Sequence, residues 1–107
     1  MKPCAHSDPL LTRLRRSLEE LYGERLSRVV LFGSRARGDA SADSDYDVAV
    51  FLHSMDDRWA ELDRLARLRV DLLDETGAFL DAKPYLSTAY AERSPLMHEV
   101  RADGVDL

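Results

Sequence analysis

The stretch GSRARGDASADSDYDVAVF, residues 33–51, decides the fold of this 107-residue chain. It follows residues 28–32, which are short, β-branched and apolar and therefore predict a buried strand that ends in a turn. A loop rich in Gly, Ser, Asp and Ala occupies residues 34–44, and residues 45–52 predict a second strand. The polar loop thus joins two predicted strands.

Two carboxylates stand at the start of the second predicted strand. Because side chains alternate across a strand, Asp45 and Asp47 share one face, while Tyr46 and the apolar residues after it share the other. Two such charges ~6 Å apart repel by roughly 3 kcal/mol at an effective dielectric constant near 20. A divalent cation is the simplest compensation, and Mg²⁺ suits an open pair of carboxylates because it also keeps waters and substrate phosphates as ligands.

The first half of the stretch offers groups that bind phosphate. Gly33 lets a ligand approach the backbone, and Ser34 supplies an N–H and a hydroxyl. If a turn or helix starts after Ser34, its N–H groups form an anion-binding concavity, and Arg35 and Arg37 neutralise phosphate charge. The alternative is structural: Gly-Ser is a common turn, and the two arginines would pair with nearby aspartates of the loop.

The combination of a hydrophobic strand, Gly-Ser, ten residues and Asp-x-Asp resembles the signature of the DNA polymerase β-type nucleotidyltransferase superfamily. The chain looks like a minimal nucleotidyltransferase, or MNT domain, and the resemblance spans nearly all of it. Its ending, SPLMHEVRADGVDL over residues 94–107, is similar to the tail of MNT antitoxins that are paired with HEPN-domain ribonuclease toxins.

The resemblance implies an activity and a set of ligands. Mg²⁺ ions held by Asp45, Asp47 and a third carboxylate would align a hydroxyl with the α-phosphate of ATP, and the antitoxin branch would transfer AMP to a tyrosine of the toxin. Asp81 is our candidate for the third catalytic and metal-binding acid, because no other acid lies in the third predicted strand; pairing with Lys83 is the alternative. Gly33 and Ser34, together with the two arginines of the loop, are the expected nucleotide-binding residues.

The rest of the chain predicts helices around these strands. Asp8-Pro9 caps a helix that ends at Gly23. Ser54, with Asp56 and Asp57, supplies a cap and first-turn acids for a second helix, which ends near Gly77 and carries Trp59 toward the core or a partner. Residues 78–86 predict a third strand, in which Pro84 indicates an edge or a bulge. Residues 95–103 predict a closing helix.

This order predicts an α/β (α+β) domain of two layers, a sheet and helices. The resemblance implies that it is the two-layer nucleotidyltransferase fold, with a small mixed sheet of three to four strands and helices packed on one face. We expect residues 1–8 to form a flexible N-terminal tail, and residues 9–107 to form a single nucleotidyltransferase domain.

Composition excludes several functional classes. The formal net charge of -5 disfavours direct nucleic-acid binding, which requires clustered Lys and Arg. No apolar run approaches the ~20 residues that span a bilayer, so we expect no membrane partner. The single cysteine, Cys4, and the lack of a secretory signal favour a cytoplasmic location. The sequence leaves open a homo-oligomer, and also a catalytically inactive nucleotidyltransferase fold that neutralises a partner by occlusion.

Overall fold

The computed structural model describes residues 8–41 and 43–107. Along the chain, helices and strands alternate, with two short 3-10 helices between them. The elements are α1 (Pro9–Tyr22), a 3-10 helix (Gly23–Arg25), β1 (Leu26–Phe32), α2 (Ser34–Arg37), β2 (Tyr46–Leu52), α3 (Arg58–Thr76), β3 (Leu80–Leu86), a 3-10 helix (Ser87–Ala91), α4 (Pro95–Asp103) and β4 (Val105–Asp106).

The four strands form one mixed sheet in the order β3-β2-β1-β4. β1 pairs antiparallel with both β2 and β4, whereas β2 and β3 run parallel. β3 is an edge strand, as Pro84 predicts, since proline has no N–H to give to a further neighbour. The predicted α+β class with a small mixed sheet is therefore confirmed.

The two long helices cover one face of the sheet. The Asp8 carboxylate accepts a hydrogen bond from the Leu10 N–H at the start of α1. α3 begins later than Ser54 suggests, because its cap is Asp57, whose carboxylate accepts from the Trp59 and Ala60 N–H groups. Both helices end at glycines with positive φ, Gly23 and Gly77. Their buried apolar side chains, which pack against the strands, are Leu10, Leu11, Leu14, Leu18, Tyr22, Leu65 and Leu72.

The prediction of helices on one face holds for α1 and α3, but α4 packs on the opposite face. There Met97 and Val100 of α4 contact a second cluster formed by Val30, Ala49 and Phe51. The reason is that β2 is an inner strand and is apolar on both sides, so each side must be covered. The one-face arrangement is corrected accordingly.

Two further expectations need correction at the level of single residues. β2 begins at Tyr46, so Asp45 lies in the loop just before the strand. Trp59 does not enter the core, because its side chain is 81% exposed. The core-facing row of α3 contains Glu61, Leu65 and Leu72, and a residue two positions before that row lies on nearly the opposite side of a helix.

The structure describes only Asp8 of the N-terminal tail predicted for residues 1–8. Residues 1–7, including Cys4, lie outside the described residues. Asp8 is described and is anchored, since its carboxylate also accepts a hydrogen bond from the Tyr46 hydroxyl at 2.9 Å. Within residues 8–41 and 43–107, no helix has the length and apolar composition needed to cross a membrane.

Candidate nucleotide and metal site

The Gly-Ser pair forms a tight junction between β1 and α2. Gly33 has φ 76° and ψ −158°, a conformation that is almost restricted to glycine. Its carbonyl oxygen accepts hydrogen bonds from the N–H groups of Ala36 and Arg37, both at 3.1 Å. The helical turn expected after Ser34 is therefore present, and it ends at Gly38, whose φ is 85°.

The sheet places Asp47 directly beside this junction. Phe32, the last residue of β1, pairs with Asp47 of β2. A Cβ atom added to Gly33 would lie 2.5 Å from the Asp47 Oδ2. Only a residue without a side chain leaves this carboxylate its present position, and this explains why the turn and the acidic pair occur together in the sequence.

The parallel pairing of β2 and β3 brings Asp81 to the same place. Asp81 is the register partner of Asp47, and paired residues of neighbouring strands project from the same face. That face is the one covered by α4, because Ala49 and Phe51, two and four residues after Asp47, contact α4.

The carboxylates influence one another electrostatically. The pKa of Asp47 is raised above its usual value, mainly because burial disfavours the charged form. The negative charges of Asp81, Asp45 and Glu99 raise this pKa further, while the positive charge of Lys83 lowers it. A nearby cation would therefore stabilise the charged form of Asp47.

Glu99 is a residue of this site that the sequence did not indicate. It lies on α4 and is partly buried. The pattern of residues 95–103 predicts a helix, but only the packing of that helix on the second face of the sheet brings Glu99 toward Asp47. No signal within the sequence identifies this neighbour.

The donor set suits Mg²⁺, although it is not a complete cage. Among the described residues, no three histidine, cysteine or acidic side chains are arranged to hold a metal ion. Lys83 Nζ lies 3.9 Å from Asp81 Oδ2, so the alternative partner considered for Asp81 is present. Mg²⁺ is commonly bound by one or two carboxylates together with waters and phosphate oxygens, and Asp45 and Asp47 fit that requirement once a nucleotide supplies the phosphates.

The two arginines of the loop have different surroundings. Arg37 lies on the α4 side, where its guanidinium pairs with Asp39 at 3.3 Å, Asp103 at 3.5 Å and Glu99 at 3.7 Å. The Arg37 side chain is about two-fifths exposed, so its guanidinium can exchange these acidic partners for other anions at little cost.

Arg35 instead contacts the opposite face of the sheet. Its guanidinium donates to the Ser44 carbonyl oxygen at 2.8 Å and lies 4.2 Å from the centre of the Tyr46 ring. Since Tyr46 and Asp47 alternate across β2, Arg35 does not point toward the carboxylates. The structure therefore brings Gly33, Asp47 and Asp81 together and separates Arg35 from them.

Comparisons with known proteins agree with this geometry. The sequence pattern of the nucleotidyltransferase domain matches residues 11–102. No curated protein sequence is significantly similar to the chain.

Several solved structures share the fold at low sequence identity. A structure described as a toxin-antitoxin with AMP-PNP is 21% identical, covers 88% of this chain and 69% of its own, and has a TM-score of 0.62. A variant of the toxin-antitoxin MntA-HpeT with two Asp-to-Glu substitutions is 19% identical, with coverages of 88% and 69% and a TM-score of 0.62. A protein from Shewanella oneidensis is 18% identical, with coverages of 94% and 71% and a TM-score of 0.59.

At these identities the solved structures establish a shared fold, and the domain match establishes the relationship. The match to the nucleotidyltransferase domain extends over both the Gly-Ser junction and the Asp-x-Asp stretch, which contain the residues of the site. The chain therefore belongs to the nucleotidyltransferase domain family, as these residues predict.

Proposed function

We propose that this protein is a Mg²⁺-dependent adenylyltransferase that moves AMP from ATP to a hydroxyl of a partner protein and acts as an antitoxin. The observation that carries the proposal is the contact between the Gly33 junction and the Asp47 carboxylate, because it joins a phosphate-binding turn to a metal-binding acid. The proposed acceptor is a tyrosine of a HEPN-domain toxin.

The residues have distinct roles in this proposal. Asp45 and Asp47 would hold Mg²⁺, and Asp81 would be the third carboxylate, released from Lys83 when a cation is present. The backbone at Gly33 and Ser34 holds the phosphates, and Arg37 exchanges its acidic partners for phosphate oxygens. Bound Mg²⁺ supplies Lewis-acid stabilisation of the charge that develops on the phosphate. The acceptor hydroxyl would lose its proton to solvent as its oxygen bonds to the α-phosphorus, and the bond from that phosphorus to the leaving pyrophosphate would break.

The partner is proposed from similarity of fold and from the sequence ending. Two of the solved structures that share the fold are described as toxin-antitoxin structures, one of them with AMP-PNP, an ATP analogue. These descriptions belong to those proteins. Together with the antitoxin-like ending of residues 94–107, they support a toxin as the acceptor here.

A second candidate function is inhibition by occlusion, without catalysis. The observation that favours it is that two of the proposed site residues already have charged partners within the chain. Asp81 lies 3.9 Å from Lys83, and Arg37 forms ion pairs with three acids. In that case the Asp45→Ala and Asp47→Ala variants would still protect cells that express the toxin.

The two candidates are separated by following the label of ATP. The purified chain is incubated with Mg²⁺, the HEPN toxin from the neighbouring gene, and ATP labelled either at the α- or the γ-phosphate. We expect the toxin to acquire the α label only, and mass spectrometry to locate AMP on a tyrosine. Asp47→Asn should abolish labelling, whereas Asp71→Asn, an exposed acid on α3, should not.

Two results would contradict the proposal. Transfer of the γ label would indicate phosphorylation, and α labelling that survives Asp47→Asn would show that the acidic pair is not required. Protection of cells by Asp47→Asn without any labelling would support occlusion instead.

A further inference from the structure

Asp45 is the member of the acidic pair that lies outside the sheet. It is exposed, and β2 begins only at the next residue, Tyr46. The Tyr46 N–H donates to the Phe79 carbonyl oxygen at 2.9 Å, so the hydrogen bonding between β2 and its neighbour starts just after Asp45. A metal ligand at the end of a loop needs further contacts that fix the backbone on both sides of it.

Arg35 supplies contacts on both sides of Asp45. Its guanidinium donates two hydrogen bonds to the carbonyl oxygen of Ser44, the preceding residue, at 2.8 Å from Nη2 and 3.2 Å from Nε. The same guanidinium lies 4.2 Å from the centre of the ring of Tyr46, the following residue. A planar guanidinium suits this double role, because it can lie over an aromatic ring while its N–H groups still donate.

The residues at both ends of this contact are themselves anchored. Tyr46 is 8% exposed, and its hydroxyl donates at 2.9 Å to the Asp8 carboxylate, which also caps α1. Arg35 belongs to α2, which follows β1 directly after Gly33. The contact therefore joins the end of the loop to α1 and to the phosphate-binding junction at Gly33.

We propose that Arg35 is a positioning residue for the candidate metal site and fixes where the Asp45 carboxylate stands relative to Asp47. The Arg35 guanidinium lies on the opposite face of β2, so it does not reach the two carboxylates. Its effect on a bound cation is exerted through the backbone of Asp45. The inference rests on the proposed Mg²⁺ site and adds to it a residue that touches neither metal nor phosphate.

Charge and position predict opposite effects of removing Arg35. A positive charge near a cation site repels the cation, so by Coulomb's law alone the loss of this charge would tighten metal binding. The positioning role predicts weaker binding instead, because partners that orient a metal ligand commonly contribute about 10- to 100-fold to metal affinity. The direction of the change therefore separates the two effects.

The experiment compares Arg35→Met, Arg35→Lys and Arg28→Met in the full chain. Methionine keeps much of the apolar stem but removes the donors and the charge, whereas lysine keeps a charge and donors for the Ser44 carbonyl. Arg28→Met is the matched control, since the Arg28 guanidinium lies 4.0 Å from the centre of the Tyr90 ring. Arg28 stands near the start of β1, and the site lies at the other end of that strand.

The first readout is the ¹⁵N order parameter of the Asp45 amide in the metal-free chain. It should be near the value of about 0.85 that is typical of rigid backbone in the native chain, and should fall toward about 0.6 in Arg35→Met. Arg35→Lys and Arg28→Met should stay close to the native value. A loss of global stability alone would not single out this amide.

The second readout is calorimetric titration with α,β-methylene-ATP, whose α–β bridge cannot be cleaved, either as its Mn²⁺ complex or in excess EDTA. Mn²⁺ replaces Mg²⁺ because both prefer octahedral oxygen ligands. Arg35→Met should weaken binding of the Mn²⁺ complex about 10-fold and leave binding of the metal-free analogue unchanged. Arg35→Lys should lose less, and Arg28→Met should match the native chain.

A double-mutant cycle tests whether Arg35 acts through Asp45. Arg35→Met introduced into Asp45→Asn should cause no further loss of affinity for the Mn²⁺ complex, because the carboxylate that Arg35 positions is already gone. Urea unfolding counts the folded molecules in every sample, so a loss of stability is not mistaken for a loss of metal binding.

The proposal is overturned if the Asp45 amide stays as ordered in Arg35→Met as in the native chain, or if this variant binds the Mn²⁺ complex as tightly as the native chain or more tightly. An equal loss of affinity for the metal-free analogue, additive losses in the double variant, or a native chain that does not bind the Mn²⁺ complex would also overturn it. Absence of AMP transfer alongside the expected metal-binding results would contradict the proposed function alone.

Discussion

The Asp47 carboxylate occupies the space in which a side chain at Gly33 would begin: a Cβ atom there would lie 2.5 Å from Oδ2. Two features that are fourteen residues apart in sequence are thus parts of one contact. The turn that would hold a nucleotide's phosphates and the acid that would hold its cation cannot be altered independently. This coupling gives the first test of the site.

Gly33→Ala should remove activity beyond its effect on folding. The positive φ alone costs on the order of 1–3 kcal/mol, and the new methyl group must also turn the Asp47 carboxylate away. Gly77→Ala is the control: its φ is 75°, close to the 76° of Gly33, but no atom lies within 4 Å of the added Cβ. AMP transfer per folded molecule, with urea denaturation to count folded molecules, should fall only for Gly33→Ala. Equal activity of the two variants would contradict the coupling.

Asp47→Asn should stabilise the fold at neutral pH. The pKa of Asp47 is raised in the folded protein, so the folded state holds the proton to a higher pH than the unfolded chain, whose value is near 3.8. Stability is therefore lost as pH rises above that value and through the raised pKa. The variant avoids this loss, so it should be more stable than the native chain at pH 7 and should show no such advantage below pH 3.8.

Thermal unfolding from pH 3.5 to 8 measures this difference. Addition of Mg²⁺ should raise the melting temperature of the native chain and leave that of Asp47→Asn unchanged, because only the native chain retains the carboxylate pair. A variant that is less stable than the native chain at pH 7 would show that the charged form of Asp47 does not destabilise the fold.

Asp81→Asn should weaken the use of Mg²⁺ if Asp81 is the third ligand. We expect the rate of AMP transfer to fall about 10²-fold, with a higher Mg²⁺ concentration needed for half-maximal rate. Lys83→Met is the matched comparison, since it removes the same ion pair while leaving the carboxylate. Titration of both variants with Mg²⁺ decides the role: similar, small losses would make Asp81 a surface partner of Lys83 only.

Arg35 and Arg37 should respond differently to truncation. Arg37→Ala should weaken ATP binding about 10-fold with little change in stability, because its ion pairs are exposed. Arg35→Ala should instead lower stability by about 1 kcal/mol, since it removes hydrogen bonds to the Ser44 carbonyl. Calorimetric titration measures ATP binding and urea unfolding measures stability, and both are applied to each variant. Weaker ATP binding for Arg35→Ala together with lower stability for Arg37→Ala would contradict this assignment.

The buried carboxylate of Glu61 should make Arg25 important for stability. Glu61 is 1% exposed, and its carboxylate accepts hydrogen bonds from Arg25 at 2.8 Å and from Arg64. Arg25→Met removes one of two partners of a buried charge and should cost about 2 kcal/mol. Glu61→Leu should cost less, because the freed arginines are partly exposed and can be hydrated. Urea unfolding at pH 7 ranks the two variants; the opposite ranking would contradict this account.

The sequence alone was sufficient for the elements near the site. Asp8 as a helix cap, Gly23 and Gly77 as helix ends, and Pro84 on an edge strand follow from local chemistry, since capping and φ depend on only a few adjacent residues. The alternation around Asp47 also predicted correctly that the apolar side of β2 faces the core.

Other features depended on how the elements pack. Trp59 lies on the helical repeat of the apolar residues Leu62, Ala66 and Leu73, but α3 turns a different row toward the sheet. Periodicity identifies an apolar side and does not say what covers it. The position of α4 was likewise undetermined, because a short helix can pack on either face when β2 is apolar on both.

The candidate site also combines features that the sequence predicts with features that only packing decides. The sequence alone was enough to identify a Gly-Ser turn, an acidic pair and membership of a nucleotidyltransferase family. Only the tertiary structure decided that Asp81 joins Asp47 through the parallel pairing of β2 and β3, that Glu99 approaches them, and that Arg35 turns away. Strand register and helix packing are set by contacts between residues far apart in sequence, and local patterns carry no information about those distances.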